Sequence, residues 1–387
     1  MTNVYDAIVI GAGPAGLNAT LHLLKARPKP TVLLVDKQKT WEKPIACAEG
    51  VWCEPLNEAI RPKKEWVRLY VSKAVLHSPD GTAVTYFDKD KGCIINRPLM
   101  QSDLASQCAQ AGATTWFDRR VVQVGPDNGS HREVTFGDGT TASACLVIDA
   151  SGPLSSFGRN EKIIGKPPDL EPAYFGIAQN TGIEKDAIHV YLGKQVAPGG
   201  YAWAFPREDS SANVGLVVGR KAVGKIDIRK LLDSFVKNNF PGATMIRHFA
   251  GTIPCEAGPS PLALPRFFKA GDAASTVNPL SRAGITEALF SGGLAGEFGL
   301  AMLHAASKDR VAEICREYQE AWLDKIGKKH GKLSRVKESL ARVPDNDYNR
   351  AFRALSAIPQ DKLTISRIIR LSLGRFPSLV FAMRHLM

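Results

Sequence analysis

Three glycines near the amino terminus, spaced as Gly11-x-Gly13-x-x-Gly16, follow a short β-branched run and open a helical segment. Gly11 permits a tight turn, Gly13 lets the backbone approach a pyrophosphate, and Gly16 lets the helix pack closely on the strand. Asp36 ends the next strand, 20 residues beyond Gly16, where it can accept hydrogen bonds from an adenosine ribose. This βαβ unit predicts a dinucleotide-binding fold, with cofactor contacts from Gly11, Gly13, Pro14, Ala15, Gly16 and Asp36.

The remaining chain divides into strand-rich and helical stretches. Extended patterns cover 66–87 and 173–257, whereas helical patterns cover 283–306 and the region after about residue 310. We predict an α/β protein, α+β overall, with a Rossmann-type nucleotide fold, an antiparallel-sheet substrate domain and a C-terminal helical region. The predicted boundaries are 1–60, 90–170 and 266–308 for the discontinuous nucleotide domain, 61–89 and 171–265 for the substrate domain, and 309–387 for the basic helical region.

Composition narrows the classes of protein that fit. The seven cysteines form no C-x-x-C pair and no Cys/His cluster with zinc spacing, so we expect neither a disulfide framework nor a metal site. The amino terminus lacks an export signal, and no apolar run reaches the about 18 residues that a membrane span needs. These features predict a cytoplasmic protein, either soluble or peripheral on the inner face of the cell membrane.

Positive charge is concentrated at the carboxyl terminus. Residues 325–387 hold fourteen Lys/Arg and four Asp/Glu, which accounts for ten of the twelve net positive charges. From Ile365 onwards, apolar residues recur on roughly one helical face, which fits either an interfacial helix or a terminal helix packed on the body. Because no aromatics alternate with the basic residues, we expect an anionic membrane surface or a protein as the partner rather than nucleic acid.

A second signal distinguishes FAD from NAD. The segment Ala270-Gly271-Asp272-Ala273-Ala274 resembles the GDA motif of flavoprotein hydroxylases and their reductase relatives, whose Asp binds the ribityl chain. The resemblance implies that the following loop and helix start surround the isoalloxazine, where a helix N-terminus can stabilise negative charge on reduced flavin. It extends to an arginine-led helix containing Asp103 and to a D-A-S-G segment followed by Arg159. The implied FAD contacts are Gly271, Asp272, Pro279, Gly284, Ile285, Arg97, Gln101, Asp149 and Gly152.

One glycine fingerprint implies one bound dinucleotide. A second nucleotide-binding domain would need its own glycine loop in mid-chain, and the sequence has none. We therefore expect that the flavin is reduced either by NAD(P)H that docks transiently or by a ferredoxin-like or other protein electron donor.

The segment from Pro198 to Pro206 narrows the chemistry. Its sequence, P-G-G-Y-A-W-A-F-P, resembles the P-x-x-Y-x-W-x-F-P motif of the geranylgeranyl reductase family. Cys47-Ala-Glu49-Gly50 lies where that family has a C-x-x-G segment near the flavin. The resemblance covers most of residues 1–305. It implies hydrogenation of C=C bonds in a prenyl chain on a lipid, a diphosphate or a quinone, by hydride transfer from reduced flavin.

Such a reaction needs an apolar, water-free site, because an isolated alkene has no carbonyl that the protein could polarise. Tyr201, Trp203 and Phe205 alternate along a strand, so they share one face and could form an aromatic wall over the flavin. The same pattern also fits a hydrophobic core strand. The candidate catalytic residues are Cys47, Glu49, Tyr201, Trp203 and Phe205. Cys47 could be an acid, a redox partner or a packing residue beside the flavin, Glu49 is a similar case, and the sequence does not assign the proton donor.

Two other functions fit parts of the same pattern. A flavin monooxygenase or halogenase that uses NAD(P)H shares the fold and the GDA segment, although halogenases carry W-x-W-x-I-P and need a catalytic lysine. The sequence does not assign that role to Lys63, Lys64 or Lys73. A flavin-bearing or lipid-binding protein without turnover is the second alternative.

Overall fold

The computed structural model describes residues 3–39, 45–158, 161, 169–256 and 261–359, with the backbone alone for 88–91. The helices are α1 Pro14–Leu23, α2 Cys53–Ala59, α3 Arg97–Ala111, α4 Ile228–Asn239, α5 Ile285–Leu303, α6 Lys308–Trp322, α7 Lys328–Leu340 and α8 Asp345–Ser356. A π-helical turn, Leu323–Gly327, joins α6 and α7.

The strands alternate with these helices in the amino-terminal third and cluster in the middle of the chain. They are β1 Asn3–Ile10, β2 Val32–Asp36, β3 Gly50–Trp52, β4 Val67–His77, β5 Ala83–Ile95, β6 Thr114–Phe117, β7 Val121–Val124, β8 Arg132–Phe136, β9 Thr141–Asp149, β10 Leu170–Gln179, β11 Ala187–Tyr191, β12 Tyr201–Pro206, β13 Ser211–Val217, β14 Thr244–Pro254, β15 Ala263–Leu264 and β16 Phe267–Lys269.

The described residues form two compact units. The first unit draws on the described residues within 1–45, 97–168 and 254–331, and the second unit draws on those within 46–96, 169–253 and 332–387. The predicted domain boundaries differ from the limits of these units. Strand pairing places two segments that were predicted for the nucleotide domain in the second unit instead. Residues 46–60 and 90–96 belong to the second unit, since β3 pairs with β5 and β5 pairs with β4. The C-terminal helices are shared between the two units instead of forming a region of their own.

The first unit is built on a sheet with the strand order β15-β16-β9-β1-β2-β6, extended by β7 and β8. Its central strands β16, β9, β1, β2 and β6 run parallel. Of these, β1, β2 and β9 carry runs of buried aliphatic residues, as expected for parallel strands covered on both faces. Helix α1 packs against α3 and α5. This is the Rossmann-type arrangement that the glycine turn and its flanking strands predict.

The second unit is built on a sheet with the strand order β14-β10-β13-β12-β11-β4-β5-β3. The pairs β10–β13, β13–β12, β12–β11, β4–β5 and β5–β3 run antiparallel, whereas β11 pairs in parallel with β4. Helix α4 packs on β10 and β13. At the other end of the chain, Lys337 of α7 forms ion pairs with Asp169 and Glu171, which ties that helix to the start of β10. Among the described helices, none combines the length and the apolarity that crossing a bilayer requires.

Candidate active site

The glycine turn between β1 and α1 is shaped by close backbone contacts. Gly11 has a φ of +100°, and a Cβ atom on it would lie 2.4 Å from the carbonyl oxygen of Ala150. A Cβ on Gly16 would lie 1.8 Å from the carbonyl oxygen of Gly11. Gly13 differs, because a Cβ there would have no atom within 4 Å. Gly11 and Gly16 therefore serve the fold, whereas Gly13 leaves space for a ligand to approach the backbone.

The start of α1 faces that space with unpaired backbone amides. Gly13 is the N-cap residue and makes no side-chain cap, and Pro14 occupies the first helical position. Amides left unpaired at a helix N-terminus form a natural site for phosphate oxygens. Open space above Gly13 and the positive end of the helix together fit the pyrophosphate of a dinucleotide.

Two side chains hold the glycine turn in place. Asp36 accepts the backbone N–H of Ala12 on Oδ2 at 2.7 Å and that of Gln38 on Oδ1 at 2.7 Å. The buried side chain of Gln101 donates to the carbonyl oxygen of Ala12 at 3.1 Å and accepts from Nε of Arg97 at 2.8 Å. The arginine-led start of α3 is thus linked to the turn, and Gln101 acts through the backbone.

The GDA segment lies beside the start of α5. Gly271 has a φ of +62°, and a Cβ on it would come within 2.8 Å of the Ala15 side chain. Burial raises the pKa of the half-buried Asp272 carboxyl, and the charge of Arg97 opposes that shift. A Cβ on Gly284, the uncapped residue before α5, would lie 3.7 Å from Oδ1 of Asp272. One carboxylate and one helix N-terminus therefore meet in the first unit, as the motif spacing predicts.

The loop from Pro279 to Gly284 is organised by residues that the motif analysis missed. Asn278 accepts the backbone N–H groups of Leu280 and Ser281 on its side-chain oxygen, at 3.0 and 3.1 Å. Arg282 has a φ of +59°, a backbone region that favours glycine. Burial raises the pKa of Glu287, in the first turn of α5. An Asn-x-Leu-Ser turn signal was readable in the sequence, but the burial of Glu287 was not.

The side chain of Asp149 is engaged inside the first unit. It is fully buried and forms an ion pair with the equally buried Lys269, with Nζ to Oδ2 at 3.3 Å. Its carboxylate also accepts from the hydroxyl groups of Ser151 and Ser155. These contacts brace the segment that includes Gly152, and the contact of Asp149 with FAD stays a prediction. Gly152 keeps a positive φ with open space around it, and Arg159 lies outside the described residues.

In the second unit, an aromatic row lies on β12, formed by Tyr201, Trp203 and Phe205. The ring centroids of Tyr201 and Trp203 are 6.1 Å apart, and those of Trp203 and Phe205 are 6.5 Å apart. Phe175 and Phe249 pack against the same cluster. Tyr201 and Phe205 are half-buried, whereas Trp203 is 5% exposed. The alternation along the strand places the three rings on one face.

The aromatic row is connected to the Cys47 segment by an asparagine. Trp203 donates from Nε1 to Oδ1 of Asn213 at 2.8 Å, and Asn213 donates from Nδ2 to the carbonyl oxygen of Cys47 at 2.9 Å. A Cβ on Gly50 would lie 2.8 Å from the Phe205 ring. The glycine of the C-x-x-G segment is therefore required because an aromatic ring occupies the place of its side chain.

Glu49 is a buried carboxylate held by two arginines. Nη1 of Arg207 donates to Oε2 of Glu49 at 2.7 Å, and Nε of Arg68 lies 3.8 Å from the same oxygen. Glu49 has a φ of +66°, and its backbone N–H donates to Sγ of Cys47 at 3.2 Å. These contacts give Glu49 a clear part in fixing the Cys47–Gly50 segment. Neither arginine partner was identified from the sequence.

The comparisons with known proteins agree with this arrangement. A geranylgeranyl reductase catalytic domain model matches residues 169–253, and a lycopene cyclase protein model matches residues 6–169. The chain is 30% identical to a digeranylgeranylglycerophospholipid reductase of Methanothrix thermoacetophila, over 98% of this chain and 99% of that one. It is also 30% identical to the enzyme of the same name from Methanocella arvoryzae, over 98% of each.

Solved structures show the same fold. A geranylgeranyl bacteriochlorophyll reductase-like protein from Thermoplasma acidophilum superposes with a TM-score of 0.89 at 24% identity, over 100% of both chains. The FAD complex of the halogenase PltM gives a TM-score of 0.68 at 14% identity, covering 97% of this chain and 88% of that one. The chain thus has a fold that geranylgeranyl reductase-like proteins share with flavin-dependent halogenases, and it is an FAD-dependent oxidoreductase.

Within that group, the chain belongs to the geranylgeranyl reductase family. It is an FAD-dependent oxidoreductase that reduces C=C bonds of prenyl chains. This assignment confirms the family that the P-x-x-Y-x-W-x-F-P segment predicted and favours reduction over the halogenase alternative. Lys73, one of the lysines considered for that alternative, is held by Glu184 and Asp186. In the described part of the chain, no His, Cys, Asp and Glu cluster could hold a metal ion.

Proposed function

We propose that this enzyme reduces geranylgeranyl-type chains while they are attached to a membrane lipid. The observation that carries the proposal is the aromatic row on β12, whose buried Trp203 is fixed by Asn213. Rigid aromatic surfaces suit a long apolar polyene and can stabilise partial positive charge on carbon. Relatives matched over nearly their whole length are named for a phospholipid substrate, which favours a lipid over a prenylquinone or a free diphosphate.

The geometry of the first unit supports a set of FAD contacts. Gly13, Pro14 and Ala15 would contact the pyrophosphate, and Gly11 and Gly16 would shape the turn that receives it. Asp36 keeps lone pairs free for the adenosine ribose, although it also accepts two backbone amides. Asp272 would hold the ribityl chain. The start of α5, with Pro279, Gly284 and Ile285 nearby, would stabilise negative charge on the reduced ring, while Arg97 and Gln101 position this framework.

When bound, FAD supplies the hydride that the alkene needs at one carbon. The chain's own residues then have three tasks: aligning the double bond, excluding water and providing a proton at the other carbon. Tyr201, Trp203 and Phe205 perform the first two tasks. Cys47 is the better candidate for the third, because the carboxylate of Glu49 is already occupied by Arg207 and Arg68.

Electrons for the flavin come from outside this chain. The donor is NAD(P)H docking transiently, or a ferredoxin-like protein, since a second glycine fingerprint is absent from the sequence. The basic region 325–387 is proposed to contact an anionic membrane surface. Its described part offers exposed lysines at helical spacing, namely Lys325, Lys328, Lys329 and Lys332. The apolar face predicted from Ile365 lies outside the described residues.

The experiment is an anaerobic assay of the reduced holoenzyme with a lipid that carries geranylgeranyl chains, compared with a prenylquinone. Mass spectrometry should show two added hydrogens per reduced double bond in the lipid and less reduction of the quinone. Asp272→Ala should release FAD, which absorbance of the purified protein would report, and Asp309→Ala, at an exposed position of α6 in the same unit, is the matched control. If the prenylquinone were reduced and the lipid were not, the proposed lipid substrate would be contradicted.

A further inference from the structure

The segment that follows β13 carries an unusual density of positive charge. We call residues 219–230 the basic loop. Its only acidic residue, Asp227, caps α4 by accepting the backbone N–H groups of Arg229 and Lys230 at 3.0 and 3.3 Å. This carboxylate is therefore engaged with the backbone. The loop's cations, all with exposed side chains, are Arg220, Lys221, Lys225, Arg229 and Lys230.

Two aliphatic side chains project into solvent among these cations. Val223 is 51% exposed and Ile226 is 36% exposed. Between the cations, Ala222 is buried in the core cluster that includes Leu232 of α4. The loop is thus anchored to the body by Ala222 and Ile228, while Val223 and Ile226 face water. Exposed aliphatics surrounded by Lys and Arg are typical of segments that lie at the headgroup–acyl boundary of a membrane.

The basic loop starts against the motif that leads into the aromatic row. The backbone N–H of Gly219 donates to the carbonyl oxygen of Pro198 at 2.9 Å. A Cβ on Gly199 would lie 3.2 Å from Cα of Gly219, so the two backbones touch. Tyr201, the first ring of the row, follows two residues after Gly199. A lipid held at the basic loop would have its headgroup next to the strand that carries the aromatic row.

We propose that the basic loop docks on an anionic phospholipid surface, with Val223 and Ile226 entering the headgroup–acyl boundary. This inference rests on the proposed lipid substrate and adds the surface by which the enzyme reaches it. Charge complementarity favours an anionic partner, and the two aliphatics favour a bilayer over an acidic protein. The loop is separate in sequence from the basic region 325–387 and acts in addition to it.

The test measures binding of the FAD-loaded full chain to vesicles by sedimentation. Vesicles of phosphatidylcholine with phosphatidylglycerol are compared with vesicles of phosphatidylcholine alone. Wild-type protein should bind only the anionic vesicles. Since each Lys or Arg near an anionic surface contributes about fivefold in partitioning, Lys221→Gln with Lys225→Gln should weaken binding by about 25-fold. Val223→Ser with Ile226→Ser should weaken it by about tenfold.

The matched control removes two exposed charges from α6, as Lys308→Gln with Arg316→Gln, and should leave vesicle binding unchanged. Reduction of a geranylgeranyl lipid dispersed in detergent should be equal in all these variants, which separates this inference from the proposed function. Equal vesicle binding by the loop and control variants would overturn the inference. So would intact vesicle binding combined with slower flavin reduction by an acidic protein donor, which would identify a protein partner instead.

Discussion

The candidate sites of the two units of this enzyme are formed by different kinds of chemical group. The first unit uses backbone: glycines that allow close approach, and the uncapped starts of α1 and α5. The second unit uses side chains: a row of three rings, an asparagine that holds the central ring, and a carboxylate held by two arginines. A backbone site suits a cofactor whose phosphates are the same in every flavoprotein, whereas a side-chain site can adapt to a particular apolar substrate.

The largest effect on stability should come from substituting a glycine that the fold of the first unit requires, compared with one that faces open space. Gly16→Ala places a methyl group 1.8 Å from a backbone oxygen, so we expect it to cost about 5 kcal/mol in the free energy of unfolding. Gly13→Ala has open space and should change stability by less than about 1 kcal/mol while weakening FAD binding. Chemical denaturation and FAD titration would measure both. Equal stability of the two variants would contradict the division of roles.

In the second unit, Trp203→Ala should lower the free energy of unfolding by about 4 kcal/mol, because a large buried ring is lost. FAD should stay bound while reduction of long prenyl chains is impaired. Trp203→Phe keeps a ring but loses the hydrogen bond to Asn213, so its cost should be about 1–2 kcal/mol. Full activity of Trp203→Ala on a long-chain substrate would disprove the role of the aromatic row.

The next effect concerns the pH dependence of the free energy of unfolding, to which the buried His330 of the first unit contributes. Burial, helped by the charge of Lys329, lowers the pKa of His330 to about 4. The unfolded chain takes up a proton near the ordinary pKa and the folded protein does not, so stability is full above about pH 6.5 and falls towards pH 4, by up to about 3 kcal/mol. His330→Gln should remove this contribution and leave that of His77, whose pKa burial also lowers to about 4. The exposed His304→Gln is the control and should retain the slope.

The smallest effect should come from the ion pairs of Glu49. Glu49→Gln weakens the contacts with Arg207 and Arg68, which are partly exposed, so the cost should be about 1–2 kcal/mol. Glu208→Gln removes a partner of Arg68 from a side chain that is 49% exposed and should cost less than about 0.5 kcal/mol. Thermal unfolding of both variants at neutral pH would test this order. If Glu208→Gln lowered the free energy of unfolding more than Glu49→Gln, our account of the ion pairs of Glu49 would be contradicted.

The contrast between the units also explains what the sequence could predict. Gly11, Gly16 and Gly271 mark backbone requirements directly, so the first unit and its cofactor were readable from spacing. Alternation along β12 likewise predicted that the three rings share a face. The partners of side chains were not readable, because Asn213 and Arg207 reach the Cys47 segment only through sheet pairing far along the chain. The ion pair of Asp149 with Lys269 was unpredictable for the same reason, since nothing local in the sequence indicates it.

The central claim is that the bound flavin of this chain passes a hydride to an isolated prenyl double bond. The most direct measurement is a single turnover under strict anaerobiosis, in which fully reduced holoenzyme is mixed with a geranylgeranyl lipid in deuterated buffer. We predict that flavin oxidation is matched by a lipid that has gained hydrogen across its double bonds, with deuterium incorporated. A flavin that stays reduced until oxygen is admitted, beside a lipid of unchanged mass, would contradict the account.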